Sequence, residues 1–164
     1  MTRHTARKSA RATPETIPAI GRTLPVMLLR AREAVLSRYR PILRKHGLTE
    51  QQWRALRVLA EVPAIETTRL AVRASLRGPS LSRILADFEK ARLITRRRVG
   101  GDKRLVSVSI TPAGRKLIET VQPEAALARA DLLRAIGTKR YDDLIERLTY
   151  LEAALAKDRA VRAP

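Results

Sequence analysis

The chain contains no cysteine. That absence removes disulfides, thiol nucleophiles, thiol-based redox sensing and zinc sites built on thiolates. Histidine is almost as scarce: His4 and His46 lie far apart in sequence and cannot make a metal site by themselves, so no metal or other cofactor is expected. Aromatic residues make up only 3% of the chain, with one Phe and one Trp. That is too few rings for the stacking platforms that read single-stranded nucleic acid. No apolar run approaches the ~20 residues of a membrane-spanning helix. A nucleophile–base pair, a metal-ligand cluster and a phosphate-cradling glycine loop are all missing from the pattern, and Gly100-Gly101 reads as a hairpin turn. An enzyme is therefore not expected.

Acidic residues are also in short supply. Sixteen Asp and Glu face 34 Lys and Arg, for a formal charge of +18 over 164 residues, and the sequence pI is near 11.6. An excess of this size implies a polyanionic partner, most simply nucleic acid, with an anionic membrane surface as the rival. Hydrophobic residues reach 45%, which excludes wholesale disorder, and 164 residues leave room for one domain with a real core or for a compact domain plus long interaction helices. The first sixteen residues, MTRHTARKSARATPET, are basic and rich in Ser and Thr. No apolar segment of the signal-peptide kind follows, so secretion is not expected and a cytoplasmic location is. This tail reads either as a disordered basic arm or as an arm for the minor groove.

What is present concentrates between Pro79 and Arg115. Leu81, Ile84, Leu85 and Phe88 fall at i, i+3, i+4, i+7 and predict a helix with one narrow apolar face. Ser82, Arg83, Ala86 and Asp87 occupy the opposite face, with Ser80 at its edge and Arg77 just before the helix. Short polar groups and an arginine near a helix N-terminus suit the major groove of double-stranded DNA. Ser80 reads either as a cap hydroxyl or as a phosphate or base-edge contact, Arg77 as a phosphate clamp. Strands are expected at about Ile94–Val99 and Leu105–Ile110, the second alternating Val106, Val108 and Ile110 with Ser107 and Ser109. The hairpin carries Arg96, Arg97, Arg98, Lys103 and Arg104. Successive strand residues alternate faces, so at most two of Arg96, Arg97 and Arg98 can point toward DNA.

Around this motif the pattern is helical. One helix is expected from about Leu24 to His46 with Gly47 just beyond it, and Pro41 should kink or split it. Thr49-Glu50-Gln51-Gln52 is a capping-box pattern that opens a helix carrying Trp53, Leu56 and Leu59. Thr67–Ala74 supplies the first helix of a helix-turn-helix, and Pro79 suits the first position of the second. Thr111-Pro112 caps a helix that Pro123 should interrupt or kink. The last helix, about Thr138 to Asp158, carries Leu144, Leu148, Leu151 and Leu155 at coiled-coil spacing. The expected fold is mainly α with a small β-hairpin wing. Its parts are a basic tail over 1–20, a helical dimerisation region over 21–48 and 112–160, and a winged helix-turn-helix DNA-binding domain over 49–111.

Taken together these residues resemble the MarR family of winged-helix transcriptional regulators, over about Thr23 to Lys157. The most specific part is Asp102-Lys103-Arg104 followed by Ser109-Ile110-Thr111-Pro112-Ala113-Gly114, similar to the family's D-x-R and L-T-x-x-G elements. The runs Leu28–Val35, Arg38–Pro41 and Gly47–Arg54 look like the branch that controls homoprotocatechuate (4-hydroxyphenylacetate) degradation operons. One departure is Ala91-Arg92, where the family usually closes the recognition helix with a small residue and Gly; without Gly the left-handed cap should be strained or absent.

The resemblance implies an obligate homodimer with interlocked first and last helices, and the apolar seams at Leu24–Val35 and Leu144–Leu155 agree with it. Two-fold symmetry then implies a pseudo-palindromic operator with half-sites ~34 Å apart. The resemblance also places Arg104 in the minor groove, oriented by Asp102, with Lys103 on a phosphate. Arg77, Ser80, Ser82, Arg83 and Arg98 complete the expected DNA surface. It further implies a small phenolic or aromatic carboxylate effector, for which Arg22, Arg30, His46 and Trp53 are candidates: an arginine for the carboxylate, Trp53 or His46 over the ring. A lone Trp on an apolar face is more usually a core residue, and that is the favoured reading of Trp53. The expected function is a repressor of an aromatic catabolic operon, released from its operator by such an acid. The competing reading is an architectural or weakly specific DNA-binding protein without an effector.

Overall fold

The computed structural model describes residues 20–98 and 106–162, with side chains as far as Asp158. Two compact units divide at Ala34 and Val35, within the first long helix. In the first unit a short 3₁₀ turn, Ile20–Arg22, leads into α1 (Leu24–Lys45). The Thr23 hydroxyl donates to the Ile20 carbonyl at 2.9 Å, and its own carbonyl accepts from the Met27 N–H. Ile20, Leu24, Met27, Leu28 and Leu29 are all exposed.

The second unit holds the rest of α1, then α2 (Glu50–Ala60), β1 (Ile65–Glu66), α3 (Thr67–Arg73), α4 (Gly78–Lys90), β2 (Ile94–Arg98), β3 (Val106–Ile110), α5 (Pro112–Ile136) and α6 (Thr138–Arg162). The strands form an antiparallel sheet in the order β1-β3-β2. Ile65 pairs with Val108, and β2 runs against β3 from Ile94–Ile110 to Arg98–Val106. The strand β1 was not expected from sequence: two residues are too few to show a period. It gives the wing a third strand on β3.

Leu56, Leu59, Leu70, Leu81, Leu85, Val108 and Val121 are the largest fully buried side chains, so α2, α3, α4, the sheet and α5 share one core. Full burial of such a Leu or Val contributes about 1.5–3 kcal/mol each. The expected capping box of α2 is present: the Gln52 N–H donates to the Thr49 hydroxyl at 3.2 Å and the Thr49 N–H to the Gln52 side chain at 2.9 Å.

Neither interior proline divides its helix. Pro41 and Pro123 are exposed, and α1 and α5 run on past both. Each proline removes one intrahelical hydrogen bond, while buried Leu43 and buried Val121, Ala125 and Ala128 hold the flanking turns against the core. Three helices end alike. Gly47, Ser75 and Arg92 adopt φ of +69°, +51° and +58°. The following N–H bonds back across each last turn: Leu48 to Leu43, Leu76 to Ala71 and Leu93 to Phe88, each at 2.8 Å. These are Schellman ends. The left-handed cap of α4 is thus present, taken by an arginine at a steric cost of ~1–2 kcal/mol.

Candidate nucleic-acid interface

The helix expected to read DNA is α4. Its buried face is the expected quartet Leu81, Ile84, Leu85 and Phe88, and Ser82, Arg83, Ala86 and Asp87 are exposed. The helix starts at Gly78, so Pro79 stands at its second position rather than its first, and Ser80 is half-buried. Arg77 is the N-cap by backbone conformation and makes no side-chain cap hydrogen bond. Ser80 is therefore not the cap. The uncapped first turn presents backbone N–H groups and the positive end of the helix dipole beside exposed Arg77, a setting that favours an anion. A bond from α2 supports the preceding turn: the Arg54 guanidinium donates to the carbonyl of left-handed Ser75 at 3.4 Å.

The wing contributes Arg97 and Arg98, both exposed on β2, whereas Arg96 is half-buried. Asp102, Lys103 and Arg104 lie outside the described residues. At the start of β3, Thr67 donates to the Val106 carbonyl at 3.2 Å and ties the start of α3 to that strand. Gly114 is buried where α5 meets the sheet: a Cβ there would stand 2.4 Å from the Leu93 carbonyl oxygen and 2.7 Å from Ile110.

The effector candidates are distributed over both units. Arg22 and Arg30 are exposed in the first. In the second, Trp53 is 9% exposed and belongs to the core, with the Arg57 guanidinium 5.8 Å from its ring centroid. His46 Nε2 lies 3.0 Å from Glu124 Oε1, and Lys45 donates to the same oxygen at 2.9 Å. The hydrogen bonds from Lys45 and then His46 hold the Glu124 carboxyl below its ordinary value of 4.5. An open groove of about 380 Å³ beside this cluster is lined by Arg38, Ile42, Glu124, Leu127 and Asp131 among others. Its wall carries two carboxylates and the Arg38 guanidinium. Tyr39 is half-buried, and desolvation, then Tyr141, raises its phenol above the ordinary value of 10.0, against an opposing pull from Arg129. Sequence reasoning missed Arg54, Glu124 and Glu89 as partners, because each acts across elements with no fixed spacing; it also missed Arg57, which stands four residues after Trp53 on the same helix, a spacing that could have found it.

A phased helix behind a helix-turn, followed by a strand pair whose first strand is basic, defines a winged helix-turn-helix DNA-binding regulator. The MarR family model matches residues 46–105. The chain is 38% identical over 129 residues to the homoprotocatechuate degradative operon repressor of Escherichia coli, covering 79% of this chain and 84% of that protein. It is 35% identical over 136 residues to the HTH-type transcriptional regulator FarR of Neisseria gonorrhoeae, covering 81% and 93%. Among solved structures, NadR in complex with 4-hydroxyphenylacetate superposes with a TM-score of 0.71 at 32% identity, covering 83% of this chain and 96% of that one. The chain belongs to the MarR family of transcriptional regulators. These relatives are regulators, not enzymes. No helix among the described residues is long and apolar enough to cross a membrane.

Proposed function

We propose that this protein is a homodimeric repressor that binds a pseudo-palindromic site in double-stranded DNA, controls an aromatic catabolic operon, and leaves its operator when a small aromatic acid binds. The observation that carries this reading is the exposed face of α4, where Arg83 stands among small side chains beside Arg77 and the basic strand β2. Similarity to the homoprotocatechuate operon repressor and to NadR in complex with 4-hydroxyphenylacetate supports the operon and effector classes. The exposed apolar residues Leu144, Ile145, Leu148 and Leu155 on α6 support the dimer.

Effector binding would have to separate two states by a few kcal/mol to release DNA fully. Mobility-shift titration of the protein on its own upstream region, with and without 4-hydroxyphenylacetate or 3,4-dihydroxyphenylacetate, tests the reading. Loss of the shifted band with either acid is expected; retention with both removes this effector class. The charge of +18 favours a second reading, an architectural DNA-binding protein. It predicts a steep salt dependence and equal affinity for operator and random duplex.

A further inference from the structure

Three arginines in succession on β2 suggest a uniform grip on phosphates, but the structure separates one of them from the others. Strand alternation puts Arg96 and Arg98 on the face of buried Ile94 and Arg97 on the other; Arg96 lies opposite fully buried Val108, while Arg97 and Arg98 are exposed. Only 28% of the Arg96 side chain is accessible, and its Nε lies 3.2 Å from Glu89 Oε2 on the last turn of α4. Among the described residues neither Nε nor Nη2 makes a hydrogen bond, although both are out of reach of water. The contact with Glu89 is an ion pair by distance that lacks the angle of a hydrogen bond. An arginine cannot shed its charge, so the guanidinium depends on that carboxylate for compensation.

We propose that Arg96 is a positioning residue for DNA binding: through Glu89 it holds the first strand of the wing against the last turn of the recognition helix and does not itself touch DNA. The inference rests on the reading that α4 and the wing grip a duplex. It leaves exposed Arg97 and Arg98, on opposite faces of β2, as the arginines of that strand open to a phosphate. It also gives Glu89, an acid at a polyanion-binding surface, a reason to be there. In isolation such a carboxylate repels phosphate; through Arg96 it fixes the spacing between two DNA-binding elements that are packed together.

The sign of one substitution separates this proposal from a direct contact. Were Arg96 a DNA ligand that Glu89 merely shields, Glu89→Gln would tighten binding. As a positioning pair, Glu89→Gln and Arg96→Gln each weaken it about tenfold, and the double variant is no weaker than either single one. Binding of the full chain to an operator duplex, read by fluorescence anisotropy over a range of salt, supplies these numbers. The salt slope stays unchanged, because no phosphate contact is lost. A drop of ~0.9 in the slope for Arg96→Gln would mark a lost phosphate contact and overturn the proposal, as would Glu89→Gln binding as well as or better than wild type. Amide hydrogen exchange gives a DNA-independent readout: Glu89→Gln must speed exchange along β2, and unchanged exchange also overturns the pairing. A wild-type chain that binds no duplex removes the proposed function instead, while the exchange result still decides the pair.

Discussion

The Thr111 hydroxyl donates to the Arg92 carbonyl at 2.8 Å and accepts from the Gly114 N–H at 3.1 Å. One oxygen thus caps the start of α5 and holds the left-handed exit of α4. The Thr111 N–H adds a bond to the Leu93 carbonyl at 3.0 Å. The recognition helix is fastened to the long helix that leaves the winged domain.

Thr111→Ala removes both side-chain bonds and should cost about 1–2 kcal/mol, the upper part of the usual range for losing an N-cap. Thr111→Ser keeps both and should lose much less. Chemical denaturation at fixed protein concentration checks this; equal stability of the Ala and Ser variants would show that the hydroxyl contributes nothing.

Gly114→Ala pits two effects against each other. Helix propensity alone favours Ala by up to ~1 kcal/mol. The new methyl group would stand 2.4 Å from the Leu93 carbonyl oxygen, a backbone atom held within the α4–α5 connection. Overpacking of this kind costs about 1–3 kcal/mol or more, so net destabilisation and a lower melting temperature are expected. A rise in melting temperature would contradict the packing described.

Glu124 sets a pH dependence. Its carboxyl is held below the ordinary value of 4.5 by Lys45 and then His46, so the folded state favours the charged form. That contribution is present above the unfolded value and is lost as pH falls through the folded one. Wild type should therefore exceed Glu124→Gln in stability near neutrality, with the gap closing below about pH 4.5. Denaturation of both proteins between pH 3 and pH 7 measures it; a gap that widens on acidification would reverse the sign.

Arg83→Ala should relax base preference at one position in each half-site, worth ~1–3 kcal/mol if the guanidinium pairs with a guanine. Arg104→Ala, at the expected wing tip, should weaken binding to many sequences and reduce the salt dependence. Selection from a random oligonucleotide pool compares the two. Equal loss on all sequences for Arg83→Ala would make it a phosphate contact.

What could be read in advance was whatever repeats with a period or caps at a fixed spacing. The quartet from Leu81 to Phe88 gave the buried face of α4, and Thr49 with Gln52 gave the start of α2. Of the two outcomes expected at Pro41 and Pro123, a kink or a split, the split does not occur: a missing donor does not break a helix whose flanking turns are buried. At Arg92 the strained alternative holds: the Leu93 N–H closes the last turn onto Phe88 and the Thr111 hydroxyl holds the Arg92 carbonyl, keeping a left-handed residue where local preference asks for glycine. Trp53 was legible only as an alternative between core and ligand site, and its burial places it in the core. The Glu89–Arg96 pair joins a helix to a strand, and no periodicity links such positions.

The final helix carries a broader implication. Among its described side chains none is buried, and Leu144, Ile145, Leu148 and Leu155 are left open to water. Helical propensity alone holds such a segment poorly, so a solitary copy should fray from its far end. With the proposed second copy covering these residues, ellipticity falls on dilution, tying the ordered fraction of the regulator to how much of it a cell contains.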